Sequence, residues 1–228
     1  MTITTCIFDA YGTLFDVTAA AREAAREPRF SSLEAQWPRL AASWRDKQLS
    51  YTWLRAVAGA HVDFWQVTQD GLDWALEETG LSGDAALRAR LLQLYMDLSA
   101  YPEVKPMLEA LKAAGHKTAI LSNGTPDMLT AATRSAGLET LLDALLSVES
   151  VGIFKPSDKV YDLVGETFVG PASNVLFVSS NGWDAASAAA YGFETVWVNR
   201  AGDPPDRLHG TPRHIMSDLT EIPRIAAS

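Results

Sequence analysis

Short apolar runs rich in β-branched residues alternate along this chain with longer stretches whose apolar positions recur every three to four residues. The first run, 3–8, ends at Asp9 and meets a turn signal at Tyr11, Gly12 and Thr13, which predicts a strand. Runs at 117–121, 144–148, 174–178 and 194–198 have the continuous hydrophobicity of buried parallel strands. Helical periods fill 104–114, 126–136, 156–168 and 184–191. Gly115, Gly137 and Gly192 follow three of these, where glycine marks a helix stop. This alternation, joined to the opening strand, predicts an α/β fold built on a doubly wound parallel sheet. A late strand is expected at 213–216.

The interval 17–100 behaves differently. It contains no convincing strand and holds five of the seven tryptophans: Trp37, Trp44, Trp53, Trp65 and Trp74. A helical cap inserted after the first strand is expected there, leaving 1–16 and 101–228 as the α/β core. Helical spacing at Trp37, Leu40, Ala41 and Trp44, and again at Leu49, Trp53, Ala56 and Val57, predicts that packing explains most of these aromatics.

Composition narrows the function classes. With 228 residues, 47% hydrophobic and 21% charged, the chain can build a substantial core. A formal net charge of -9 presents nucleic acid with a repulsive average field. No uncharged apolar run is long enough to span a bilayer, and the residues after Met1 lack the positive region of a signal peptide. The single cysteine, Cys6, rules out a disulfide framework or a cysteine metal cluster and suits a reducing cytoplasm. His61, His116, His209 and His214 show no metal-ligand spacing. There is no P-loop, dinucleotide fingerprint or Gly-x-Ser-x-Gly elbow.

In an open α/β sheet, ligands collect beyond the carboxyl ends of the strands. The expected strands end there in Asp9, in Ser122 and Asn123, and in Ser179, Asn181 and Asp184, with Lys155 following the third strand. A carboxylate after an apolar strand needs compensation, which Lys155 can supply.

These residues carry a resemblance. The segments 9–16 (DAYGTLFD), 121–124 (LSNG), Lys155-Pro156 and 177–184 (FVSSNGWD) resemble the motifs of the haloacid dehalogenase superfamily. The segment 43–55 (SWRDKQLSYTWLR) is similar to the cap of the type II L-2-haloacid dehalogenases. The resemblance spans most of the chain in order and spacing. Superfamily phosphatases carry a second Asp two residues after the nucleophile and an acidic Mg²⁺ ligand in the fourth motif; Tyr11 and the Ser179-Ser180 pair stand at those positions. Loss of both acids removes much of the oxygen cage of a hard dication, so no metal and no cofactor are expected.

The resemblance implies that Asp9 displaces halide from the α-carbon of a short L-2-haloalkanoate with inversion, and that water hydrolyses the resulting ester to a D-2-hydroxy acid. Arg45 would close over the substrate and attract the halide. Lys155 would hold Asp9, with Asp184 behind it. Asn181 and Thr13 would position water or side chains, and Ser179 with nearby backbone amides would stabilise the tetrahedral intermediate. Ser122 would receive the substrate carboxylate and Asn123 the halide or substrate. Tyr161 matches a position that contributes to the substrate site, and Tyr11, Leu49, Phe64 and Trp183 resemble the wall around the alkyl group. The position after Arg45 often carries Gln in close relatives; here Asp46 is expected to put a further negative charge near the substrate. Relatives are commonly homodimers, and the Trp-rich apolar cap surface is the expected contact. The two alternatives are a Mg²⁺-dependent phosphatase of the same fold and a non-catalytic binder of small anions.

Overall fold

A computed structural model describes residues 2–227, so the outermost residue of each expected core segment, Met1 and Ser228, lies outside the described residues. The opening strand β1 (Thr5–Phe8) is buried throughout. It is followed by four helices, α1 (Ala19–Ala24), α2 (Trp37–Ala58), α3 (Phe64–Glu78) and α4 (Ala85–Met96). The remaining elements are α5 (Val104–Ala113), β2 (Lys117–Ser122), α6 (Pro126–Ser135), β3 (Ala144–Ser147), α7 (Asp158–Thr167), β4 (Val175–Ser179), α8 (Gly182–Tyr191), β5 (Glu194–Val198), β6 (His214–Met216) and α9 (Ile222–Ala226).

Among the described residues, six parallel strands form one sheet in the order β3-β2-β1-β4-β5-β6. The chain leaves β1 towards β2 and β3, then crosses to β4 on the other side of β1. The carboxyl ends of β1, β2 and β4 therefore meet where the winding reverses, the place at which such sheets bind ligands. The late strand expected at 213–216 is β6, paired parallel with β5.

Two expectations need correction. The strand expected at 144–148 is not buried along its length: β3 is an edge strand, and Leu145 is exposed. The second apolar stripe of α2 enters the core only in part, through Ala56. Leu40, Ala41 and Trp44 are buried, but Trp53 is 37% and Val57 90% exposed. This end of α2 faces the carboxyl edge of the sheet, where Leu49 lines a cavity and Trp53 meets Trp183 edge-on at 5.4 Å.

Two helix starts are shaped by the site. α7 begins after Pro156, with extended Ser157 at its N-cap, which leaves Lys155 in the preceding loop. α8 begins two residues earlier than its apolar period, with Asn181 at the N-cap. The Asn181 side chain makes no capping bond, because both ends of its amide are engaged elsewhere.

Candidate active site

β1 ends one residue before Asp9, whose backbone N–H donates to Val178 O in the adjacent strand (2.9 Å). This fixes the Asp9 backbone between the tips of β2 and β4. The next turn needs glycine: Gly12 has φ +90°, and a Cβ there would lie 3.0 Å from Ser180 Oγ. Gly124, after β2, is required by close approach, since a Cβ would come within 2.7 Å of the Tyr11 ring.

Asp9, Lys155 and Asp184 form a buried row. Lys155 Nζ donates to Asp9 Oδ1 (3.2 Å) and to Asp184 Oδ2 (2.8 Å). Tyr161 Oη donates to the other Asp184 oxygen (2.8 Å), and Asp184 lies in the first turn of α8, where the helix dipole favours negative charge. The other Asp9 oxygen, Oδ2, accepts from the Thr13 hydroxyl and from Asn181 Nδ2, both at 3.0 Å. Thr13 is held in turn by the Ser180 backbone N–H (2.8 Å).

Burial alone would push the Lys155 ammonium down, but the Asp184 and Asp9 carboxylates outweigh it and hold Lys155 above the ordinary lysine value. Burial pushes the Tyr161 phenol far up and the negative charge of Asp184 adds to it, so Tyr161 remains a neutral donor.

The opposite wall is built differently. Arg45 projects from α2, and every hydrogen-bond acceptor it uses is neutral: Gln48 Oε1 (2.8 Å), Tyr11 O and Asn181 Oδ1 (both 3.1 Å). Between Arg45 and Asp9 lies a small cavity, also lined by Tyr11, Leu49, Phe64, Ser122, Asn123, Lys155, Asn181 and Trp183. Ser122 Oγ accepts from Gly124 N (3.0 Å), a bond that does not use its hydroxyl hydrogen. Asn123 Oδ1 accepts from Lys155 N (3.0 Å), a bond that does not use its Nδ2 hydrogens. Tyr11 Oη and Trp183 Nε1 are buried with no hydrogen-bond partner among the described residues. The arrangement offers a carboxylate nucleophile on one side and an uncompensated cation on the other.

The family profile of haloacid dehalogenase-like hydrolases matches residues 3–192. The (S)-2-haloacid dehalogenase 1 of Pseudomonas sp. (strain CBS-3) is 44% identical, over 98% of this chain and 96% of its own length. The chain belongs to the L-2-haloacid dehalogenases. A solved L-2-haloacid dehalogenase superposes with a TM-score of 0.92 at 40% identity, covering all of both chains. The Xanthobacter autotrophicus L-2-haloacid dehalogenase, solved with chloropropionic acid covalently bound, superposes at 0.89 with 35% identity and 98% of each chain covered.

Two expected site residues, Ser179 for the tetrahedral intermediate and Tyr161 for the substrate site, lie behind the cavity wall. Ser179 is fully buried, off the cavity wall, and its Oγ accepts from Asn181 N (3.1 Å), so it shapes the loop. Tyr161 is likewise off the wall and reaches the site only through Asp184. Asp46 does not face the substrate side: one residue around α2 from Arg45, it is exposed to solvent. At the two positions where superfamily phosphatases carry acids, the Tyr11 ring packs among Phe15, Phe64 and Tyr95, and Ser180 bonds Thr13. Among the described residues, no group of three or more His, Cys, Asp or Glu side chains is placed to hold a metal ion. None of the described helices is long and apolar enough to cross a membrane.

Sequence reasoning missed Gln48, Thr68 and Tyr95, which lie buried behind Arg45. The signal available was spacing: Gln48 is three residues from Arg45 on one helix, hence on the same face.

Proposed function

We propose that the protein hydrolyses short L-2-haloalkanoic acids to D-2-hydroxy acids through an ester on Asp9. The observation that carries this reading is the Asp9 carboxylate, held by Lys155, Thr13 and Asn181, across a small cavity from Arg45. An Asp9 oxygen displaces halide from the α-carbon, and the halide leaves towards the Arg45 guanidinium. Water then adds to the Asp9 carbonyl carbon, the ester bond breaks, and 2-hydroxy acid and one proton are released. Charge developing on the Asp9 oxygens meets donors already in place: Thr13 and Asn181 on one oxygen, Lys155 on the other. Ser122 and Asn123 supply the donors for the substrate carboxylate and halide, and Tyr11, Leu49, Phe64 and Trp183 enclose the alkyl group. The Xanthobacter relative with covalently bound chloropropionic acid supports the ester.

In this reading residues 17–100 are a cap over a core of 1–16 and 101–228. Two copies would pair through the apolar cap surface around exposed Trp53, Leu54, Val57 and Trp74. The buried, unpaired Cys6 supports a cytoplasmic setting. Lys155 Nζ between the two carboxylates supports a reaction without a metal, and the Tyr11 and Ser180 packing opposes the phosphatase. Separate enantiomers of 2-chloropropionate, with and without EDTA, test the reading. Chloride from the L-enantiomer alone, unaffected by EDTA and accompanied by D-lactate, is expected. Mg²⁺-dependent phosphate release without chloride would overturn it in favour of the phosphatase, and anion binding without either product would favour the binder.

A further inference from the structure

Behind Arg45 lies a set of buried polar side chains that no step above uses. Gln48 Oε1 accepts from Arg45 Nη1 (2.8 Å), and Gln48 Nε2 donates to Thr68 Oγ1 (2.8 Å). The Tyr95 hydroxyl sits against the same amide, 3.0 Å from Nε2 and 3.1 Å from Oε1. Gln48 and Tyr95 are almost fully buried and Thr68 is fully buried.

The polarity of this row has one solution. Thr68 donates its own hydroxyl hydrogen to Phe64 O (2.7 Å), one turn back on α3, so towards Gln48 it can only accept. Arg45 can only donate. The Gln48 amide must therefore present N–H to Thr68 and oxygen to Arg45. Trp44 Nε1 anchors the same stretch of α3 by donating to Thr68 O (2.8 Å). A neutral amide here directs the guanidinium without compensating its charge; a carboxylate would compensate it and would face the Thr68 lone pairs.

We infer that Gln48 is a positioning residue for Arg45, held in one orientation by Thr68 and Tyr95, and that it keeps the guanidinium aimed at the departing halide with its full charge available. This inference rests on the reading of Arg45 as the halide-receiving group.

Inhibition by added bromide and the KM for L-2-chloropropionate test it, because neither quantity depends on the fraction of protein that is folded. Gln48→Met, close in volume, should raise both the bromide Ki and the KM about 10-fold, in line with the cost of misaiming a catalytic group. Gln48→Glu should weaken bromide further, by pairing the guanidinium. Thr68→Val, away from the cavity, should shift the Ki in the same direction by a smaller factor. Arg45→Ala separates the two claims. If it leaves the bromide Ki unchanged, the halide reading of Arg45 fails. If it raises the Ki while the Gln48 variants keep wild-type Ki and KM, Gln48 is structural only and the inference is overturned.

Discussion

The two walls of the cavity hold their charges in opposite ways. On the core side Lys155 is sealed between two carboxylates, and each of those carboxylates has a further donor. On the cap side Arg45 is half-buried and meets only neutral acceptors. A compensated buried charge is a fixture, whose removal strands its partners. An uncompensated cation beside a cavity is receptive to an anion, and losing it disturbs little of the fold. The core wall should therefore govern both stability and chemistry, and the cap wall chemistry almost alone.

Lys155→Met breaks the comparison most severely. It leaves Asp9 and Asp184 facing each other without a cation, which should cost about 3–5 kcal/mol of stability along with chloride release. Denaturant unfolding and a chloride assay check both losses. Arg45→Ala should lower kcat/KM by about 10²–10³-fold, the scale of losing one preorganised electrostatic donor, while unfolding changes by less than about 1 kcal/mol. A comparable stability loss in both variants would erase the distinction between the walls. Tyr161→Phe withdraws one donor from buried Asp184 and should cost about 1–3 kcal/mol, less than Lys155→Met.

The alkaline limb follows from the same geometry. Because the folded-state value of Lys155 is raised, its contribution to stability is fully present below the ordinary lysine value and is lost as pH rises through the raised one. Thermal unfolding should hold steady up to the lysine range and weaken above it; Lys155→Met should lack that last transition. Asp46→Gln should do least, changing kcat/KM less than about twofold and stability by less than about 0.5 kcal/mol, since its side chain is exposed on α2.

The core wall was legible in the sequence because each relevant strand ends in a chemically distinctive residue, and the winding of the sheet brings those ends together. Asp9, Ser122, Asn123, Lys155, Asn181 and Asp184 are all found at that edge. Depth was not legible: Ser179 was expected at the tetrahedral intermediate and Tyr161 in the substrate site, yet each sits one hydrogen bond further back. On the cap wall a residue's role depends on its angle around α2. One step of about 100° takes Asp46 out to solvent, and three residues return Gln48 to the buried side beneath Arg45. A glutamine directly after Asp46 and Lys47 reads like part of a solvated face until its partners on α3 and α4 are known. The exposure of β3 depended on strand order, which periodicity alone does not set.

The account turns on Asp9 carrying the ester. One turnover of L-2-chloropropionate by excess enzyme in heavy-oxygen water, followed by mass analysis of the Asp9 peptide and of the lactate, tests that most directly. Attack of water on the Asp9 carbonyl predicts one heavy oxygen in the Asp9 carboxylate and none in the lactate. Heavy oxygen in first-turnover lactate, with the Asp9 peptide unchanged, would mean that water displaces halide directly and that Asp9 is not the nucleophile.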